Sequence, residues 1–118
     1  MTGNPQQILD AIYQVVQERK AGSTEKSYVA ALYAKGLDKI LGKIGEEATE
    51  VAIAGKGGDV DEVVYEIADL WFHTLVLLGY YDLPPERIYA ELARRFGLSG
   101  LAEKEGRISP NNGTEEKP

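Results

Sequence analysis

The hydrophobic positions of the chain recur at helical spacing from its first residues onward. Five of them fall on one face of a helix over about residues 6–20. They are Ile8, Leu9, Ile12, Val15 and Val16. After the polar break AGSTEKS, Ser27 is a suitable N-cap for a second helix, Tyr28–Lys35, which Gly36 can end as the residue past its C-cap. The pattern therefore predicts two helices in this part of the chain.

Glycines divide the middle of the chain into two longer helices. The apolar spacing predicts a third helix over Leu37–Ala54, which a group of glycines should stop. The glycines are Gly55, Gly57 and Gly58. Asp59 is then a suitable N-cap, with Glu62 at the third helical position of a capping box. We expect the fourth helix to continue to Leu78 and to close at Gly79.

The C-terminal part of the sequence adds a fifth helix and a polar tail. The turn YYDLPP leads into a predicted helix over about Pro85–Phe96, and Gly97 follows its end. Residues 108–118 are polar and rich in turn formers, so we expect them to be disordered. No segment alternates as a strand does. We therefore predict one all-α domain over residues 1–107, a bundle of about five helices.

The second half of the fourth helix is apolar nearly all round. The residues concerned are Leu70, Trp71, Phe72, Leu75, Val76, Leu77 and Leu78. A helix of this kind is buried on every side, and a chain with five helices can hardly surround one of its own. The simplest solution is a homodimer in which this helix packs in a shared bundle.

Composition narrows the classes of partner and compartment. The 118 residues carry a formal net charge of -6 and no cysteine. The acidic balance argues against nucleic acids and anionic membranes as partners, and the lack of cysteine fits a reducing cytoplasm. The N-terminal residues lack the pattern of a signal peptide. The apolar run Leu70–Leu78 is interrupted by His73 and is too short to span a bilayer.

The third and fourth helices each place a pair of carboxylates beside an apolar stripe. On the third helix the apolar face is predicted to consist of Ile40, Leu41, Ile44, Ala48, Val51 and Ala52. Glu47 lies at the edge of that face and Glu50 one step further round; Glu66 and Asp69 repeat the i, i+3 spacing on the fourth helix. Desolvating such pairs is costly unless a positive charge compensates them.

A short connection between the two helices should bring the two carboxylate pairs face to face. Converging acidic oxygens suit a hard cation, Mg²⁺ or alternatively Mn²⁺. A solvated surface is the competing interpretation, since a single E-x-x-E motif is nearly always exposed. His73 lies on the same stripe as Glu66 and Asp69, either as a satisfied core residue or in contact with the site. Lys39 and Lys43 could form intrahelical pairs with the glutamates or hold phosphate groups.

The chain resembles a known family at these same residues. Glu47, Glu50, Glu66 and Asp69 form the E-x-x-E and E-x-x-D motifs of the MazG-like all-α nucleoside triphosphate pyrophosphohydrolases. Three longer stretches resemble one family in that superfamily, the phosphoribosyl-ATP pyrophosphohydrolases. They are Ser27–Lys56, Glu66–Leu78 and Glu91–Arg107, the last with RFGLSG-x-x-EK. With the first helix, the resemblance covers about residues 6–107.

The resemblance implies an enzyme of the second step of histidine biosynthesis. It implies Mg²⁺-dependent hydrolysis of phosphoribosyl-ATP to phosphoribosyl-AMP and pyrophosphate. The implied metal ligands are Glu47, Glu50, Glu66 and Asp69, and either Glu46 or Glu47 would be the base. The implied substrate contacts are Lys39, Lys43 and His73, with Lys56 or Arg95 as further phosphate contacts.

Two other functions remain open at this point. A house-cleaning pyrophosphohydrolase would use the same carboxylates on other nucleoside triphosphates. A helical dimerisation module without catalysis would leave the acidic stripe at the surface.

Overall fold

The computed structural model describes residues 4–98, and every regular element in that range is an α-helix. The helices are α1 (Pro5–Arg19), α2 (Tyr28–Lys35), α3 (Leu37–Gly57), α4 (Val60–Tyr80) and α5 (Glu86–Arg95). The predicted all-α class and the order of five helices are therefore confirmed for this range. The tail predicted to be disordered, residues 108–118, lies outside the described residues.

Local capping chemistry sets several of the helix ends as the sequence predicts. The Ser27 side chain accepts a hydrogen bond from the backbone N–H of Ala30 and caps α2. The Asp59 carboxylate accepts from the N–H groups of Asp61 and Glu62 at the start of α4. These bonds satisfy donors that have no partner within the helix.

Two of the predicted ends are displaced. Helix α3 does not stop at Ala54 but continues to Gly57, and Gly58 takes the left-handed conformation at φ 86°. Helix α4 does not close at Gly79 but continues to Tyr80. A Cβ on Gly79 would lie 2.5 Å from the hydroxyl of Tyr33 and 3.1 Å from Val16. Gly79 therefore allows close packing inside a helix and is not a stop signal.

The hydrophobic core joins the first four helices. Its buried members are Val16 of α1, Val29 and Leu32 of α2, Ile40 of α3 and Val76 of α4. Four of these side chains, all but that of Val29, are essentially inaccessible to solvent. Helices α3 and α4 form the most extensive contact between any two helices in the described range. The core thus holds together α3 and α4, the two helices that contain the acidic motifs.

The predicted apolar face of α3 is wrong in part. Ile40 is buried and Ile44 is half-buried as expected, but Leu41, Ala48 and Ala52 are exposed. The buried stripe instead includes Glu47, which was expected only at its edge. The apolar residues of α3 occupy two sides of the helix, and the side that contains Leu41, Ala48 and Ala52 is not covered within the described residues.

Helix α4 has the length and composition of a membrane-crossing helix, with a mean hydropathy of 1.2 over its best 18-residue window. Core helices of proteins that stay outside membranes meet the same criterion. Glu66 and Asp69 lie in its middle, where each charged side chain would cost about 2.5–3.5 kcal/mol in a bilayer. Here Glu66 and His73 are instead buried by protein, so α4 is polar where a spanning helix would be least tolerant.

The chain divides into two compact units after Leu83, and the second unit contains α5. No residue of α5 itself is buried. Arg94 and Arg95 both pair with Glu91 at 2.9 and 3.0 Å, at i+3 and i+4 spacing. Basic residues in the last turn also complement the helix dipole.

Candidate functional site

The two-residue connection Gly58–Asp59 lets α4 return along α3 and brings acidic side chains of both helices together. Glu47 of α3 is 8% exposed and Glu66 of α4 is 9% exposed. The Asp69 side chain, one turn beyond Glu66, is 33% exposed. These three carboxyl groups form the acidic cluster, which has two buried members and one that reaches solvent.

The surroundings of Glu47 in the acidic cluster disfavour its ionised form. Burial raises its pKa, and a hydrogen bond with Asp69, the negative charge of Asp69 and a hydrogen bond with Glu66 raise it further. Lys43 opposes these effects from 3.8 Å but does not cancel them. A carboxylate has no hydrogen to donate, so hydrogen bonds between carboxyl groups require a shared proton. Burial and the acidic neighbours thus make ionisation of Glu47 unfavourable unless further positive charge is added.

The surroundings of Glu66 also disfavour its ionised form. Burial raises its pKa, and the negative charges of Glu50, Glu62 and Asp69 add to that effect, while its hydrogen bond with Glu47 opposes it. Like charges at close range disfavour simultaneous ionisation. Lys43 alone thus does not balance the negative charge of the acidic cluster, and a divalent cation could supply the missing positive charge.

His73 closes one side of the acidic cluster. Its ring is 2% exposed, and Nδ1 lies 3.6 Å from Oδ1 of Asp69. Ligand atoms from Glu47, Asp69 and His73 all lie within 4.8 Å of one another, which is close enough for a common metal ion. The position predicted for His73, in line with Glu66 and Asp69, is therefore the position that the structure gives it.

Glu46 and Lys43 lie at the outer edge of the acidic cluster. The Glu46 side chain is 63% exposed, and its Oε1 lies 3.3 Å from Nζ of Lys43. Lys43 thus lies between Glu46 and the buried Glu47. Burial lowers the pKa of Lys43, but Tyr28, Glu46 and Glu47 outweigh that effect and the pKa is raised. The lysine remains charged at the mouth of the cluster.

The remaining predicted site residues lie further out. Glu50 is exposed, and it reaches the acidic cluster through its effect on Glu66. Lys39 and Lys56 are exposed, near the two ends of α3. Arg95 belongs to the second unit, where its Nε pairs with Glu91 at 3.0 Å. The structure therefore brings together Glu47, Glu66, Asp69, His73 and Lys43, and it leaves the others outside that group.

Sequence reasoning missed Tyr28, the first residue of α2. Its hydroxyl lies 2.8 Å from Nε2 of His73, although the two residues are 45 positions apart. The ring packs edge-on against His73 at 5.7 Å and lies 6.3 Å from Phe72. No periodicity connects Tyr28 to α4, because the contact depends on how α2 packs across the helix pair.

The acidic cluster fits a hard divalent cation in its donor chemistry. Carboxylate oxygens are the preferred ligands of Mg²⁺ and Mn²⁺, and a bound cation would remove the repulsion that raises the pKa of Glu47 and Glu66. Bundles commonly place such sites between facing helices. The acidic cluster can hold a metal ion, and Lys43 adds a positive side chain beside it. Sites that act on polyphosphates use this combination of metal ion and basic side chain to stabilise negative charge.

Comparison with known proteins gives a consistent result. The sequence profile of the family Phosphoribosyl-ATP pyrophosphohydrolase matches residues 9–96. A phosphoribosyl-ATP pyrophosphatase of Geobacter metallireducens is 68% identical over 100 residues, which cover 85% of this chain and 92% of the relative. The protein of that name from Geotalea daltonii is 67% identical over 85% of this chain and 94% of the relative. A Methylococcus capsulatus protein with the same name is 54% identical over 85% of this chain and 95% of its own length.

Proposed function

The chain belongs to the phosphoribosyl-ATP pyrophosphohydrolase family, and we propose that it performs the family's reaction with a divalent cation held between α3 and α4. It is a hydrolase of histidine biosynthesis that cleaves a phosphoric anhydride bond of phosphoribosyl-ATP. The products are phosphoribosyl-AMP and pyrophosphate.

One observation carries the cation proposal: two buried glutamates from neighbouring helices lie beside Asp69, and burial together with the neighbouring negative charges raises the pKa of both. We assign Glu47, Glu66 and Asp69 as the ligands from the acidic cluster. Glu50 is assigned as a fourth ligand at the exposed side, where its charge already acts on Glu66. Mg²⁺ is the preferred ion and Mn²⁺ the substitute, since both favour oxygen ligands. When bound, the cation supplies positive charge and a water of lowered pKa.

The acidic residues would also move the proton of the reaction. Water attacks phosphorus, its oxygen forms the new P–O bond, and the bond to the pyrophosphate oxygen breaks. The proton of that water needs a base within hydrogen-bond reach. Glu47 lies in the cluster and Glu46 outside it, paired with Lys43. This geometry favours Glu47 as the base and gives Glu46 the role of orienting Lys43.

Cationic side chains beside the cluster would bind the phosphates. Lys43 is the strongest candidate because its side chain is only 23% exposed and lies against Glu47. Lys39 and Lys56, exposed on the same helix, are the next candidates. Arg95 is a further candidate only because of the family resemblance. Their task is to offset the negative charge that the substrate brings to an acidic site.

The assembly is proposed to be a homodimer that works in the cytoplasm, without nucleic-acid or membrane partners. Large apolar side chains remain exposed on the helical pair: Ile53 at 61%, Val64 at 65% and Trp71 at 55%. An open groove of about 410 Å³ between α1 and α4 is lined by apolar residues, including Ile8 and Trp71. Apolar surface of this extent marks an interaction site in a soluble protein. Sedimentation of a dilute sample at monomer mass would refute the dimer.

The deciding experiment is pyrophosphate release from phosphoribosyl-ATP with and without Mg²⁺. We expect turnover that depends on the ion and stops when a chelator is added. A panel of nucleoside triphosphates at matched concentration is the control for substrate class. Faster cleavage of dUTP or dCTP than of phosphoribosyl-ATP would favour a house-cleaning enzyme and contradict the assignment.

A further inference from the structure

We propose that Tyr28 is a positioning residue of this reaction, which holds the buried His73 ring against Asp69 and thereby limits where the Asp69 carboxylate can lie in the acidic cluster. The inference rests on the proposed cation site. It adds a residue on α2 to a site whose other members lie on α3 and α4.

Both nitrogens of His73 are engaged by the chain itself. Nδ1 lies 2.9 Å from the main-chain oxygen of Asp69, which can only accept a hydrogen bond. In the neutral ring Nδ1 must therefore carry the proton. Nε2 is then the acceptor, and the Tyr28 hydroxyl donates to it at 2.8 Å. His73 can give its lone pair to a cation only by losing the bond to Tyr28.

Packing prevents the ring from adopting another orientation. Phe72 lies edge-on to the His73 ring at 5.1 Å and 79°, and Tyr28 lies at 5.7 Å and 90°. The ring is 2% exposed, so water has almost no access to it. With this orientation Nδ1 lies 3.6 Å from Oδ1 of Asp69, at the edge of the carboxylate that we assign as a ligand.

The position of Tyr28 separates it from an ordinary core tyrosine. It is 50% exposed, yet its hydroxyl is directed to a buried nitrogen of the site. Lys43, Asp69 and Glu47 all lie near enough to act on the hydroxyl electrostatically. Residues that orient the ligands of a metal typically change its affinity or the activity by about 10- to 100-fold when they are replaced.

Tyr28→Phe removes the hydroxyl and keeps the ring. We expect the Mg²⁺ concentration for half-maximal turnover to rise about tenfold. Tyr33→Phe is the matched control: Tyr33 lies on the same helix, and its hydroxyl bonds to the main-chain oxygen of Val76 in α4, away from the acidic cluster. It should lower thermal stability and leave the Mg²⁺ dependence unchanged. Equal Mg²⁺ dependence in Tyr28→Phe and the unaltered chain would overturn the proposal.

The ring of His73 supplies a readout that does not depend on activity. His73 is the one histidine of the sequence, so the imidazole ¹⁵N resonances of the metal-free full chain need no assignment. We expect a protonated Nδ1 and an unprotonated Nε2. Tyr28→Phe should shift the Nε2 resonance, and Tyr33→Phe should not. An Nε2 resonance that is the same in Tyr28→Phe and the unaltered chain would also refute the assignment.

A double-mutant cycle separates action through His73 from direct contact with substrate. His73→Asn keeps a donor near the Nδ1 position and removes the acceptor for Tyr28. If Tyr28 acts through the ring, adding Tyr28→Phe to His73→Asn should leave the Mg²⁺ dependence unchanged. Additive losses would mean that Tyr28 acts by another route, through Lys43 or the substrate, and would overturn the proposal. If the unaltered chain does not hydrolyse phosphoribosyl-ATP, the proposed function fails. In that case, Mg²⁺-dependent thermal stabilisation of the same variants still tests the role of Tyr28.

Discussion

Glu47 and Glu91 are both helical glutamates with a basic residue one turn away, yet their electrostatics are opposite. Glu91 accepts hydrogen bonds from Arg94 and Arg95 at 2.9 and 3.0 Å, and these bonds lower its pKa to about 2. Burial and neighbouring acids raise the pKa of Glu47, and Lys43 at 3.8 Å does not compensate. The chain thus neutralises Glu91 with its own cations and leaves Glu47 in need of a cation from outside.

The largest expected effect tests whether this difference is functional. Glu47→Gln should lower kcat/KM at least about 100-fold, because it weakens a ligand and removes the proposed base. Glu91→Gln, which removes a carboxylate already neutralised within its own helix, is the matched control and should retain most of the activity. Pyrophosphate release measures both variants. Similar activities in the two would show that the electrostatic contrast has no catalytic meaning.

Glu50→Gln and Asp69→Asn sharpen the ligand assignment. Each should abolish Mg²⁺-dependent turnover while the far-ultraviolet circular dichroism spectrum stays helical, because both carboxylates lie partly in solvent and contribute little to the core. A helical dimerisation module would tolerate both changes. Full activity in both variants would reject the proposed set of ligands.

Magnesium should stabilise the folded chain through the acidic cluster. At a free Mg²⁺ concentration of 100 times Kd, linkage predicts about 2.7 kcal/mol of added stability. Differential scanning calorimetry with and without the ion measures this gain. It should vanish in Asp69→Asn and persist in Glu91→Gln. A gain of equal size in Asp69→Asn would place the ion elsewhere on the chain.

Replacement of Lys43, the lysine beside Glu47, should weaken substrate binding more than it destabilises the fold. Lys43→Met should raise KM for phosphoribosyl-ATP about tenfold, or ~1.4 kcal/mol, because it removes a charge from the mouth of the site. Lys39→Met is the comparison within the same helix and should have the smaller effect. Steady-state kinetics at saturating Mg²⁺ separate KM from kcat. A larger effect of Lys39→Met would reverse the assigned order.

The two glutamates should give opposite dependences of stability on pH. The raised folded-state pKa of Glu47 means that the metal-free folded state binds a proton more tightly than the unfolded state does. This contribution to stability is lost as pH rises above the ordinary value of 4.5 and through the raised pKa. The lowered pKa of Glu91 contributes stability above 4.5 that is lost as pH falls towards about 2.

Urea unfolding of the metal-free chain across that pH range measures both effects. Glu47→Gln should reduce the decline of stability on the alkaline side, and Glu91→Gln should reduce the decline on the acidic side. Saturating Mg²⁺ should suppress the alkaline decline in the unaltered chain. A decline on the alkaline side that is unchanged by Glu47→Gln would show that another group causes it.

Local chemistry made most of the helical framework predictable. Ser27 and Asp59 cap α2 and α4 as their side chains suggest, because capping bonds lie within a few residues. Gly79 misled the prediction because a glycine in a helix can mark its end or a close contact. Only the approach of Tyr33 decides between these two, and Tyr33 lies on another helix.

The all-α class, the order of the helices and the two acidic motifs can be read from the sequence, since each follows from the spacing of residues along one helix. The sequence also placed His73 in line with Glu66 and Asp69. The burial of Glu47, the exposure of Leu41 and the contact of Tyr28 with His73 depend instead on how the helices pack against one another. Periodicity within one helix shows which residues share a face, but it does not show which other helix packs against that face. The burial of Glu47, and therefore its raised pKa, depends on that packing.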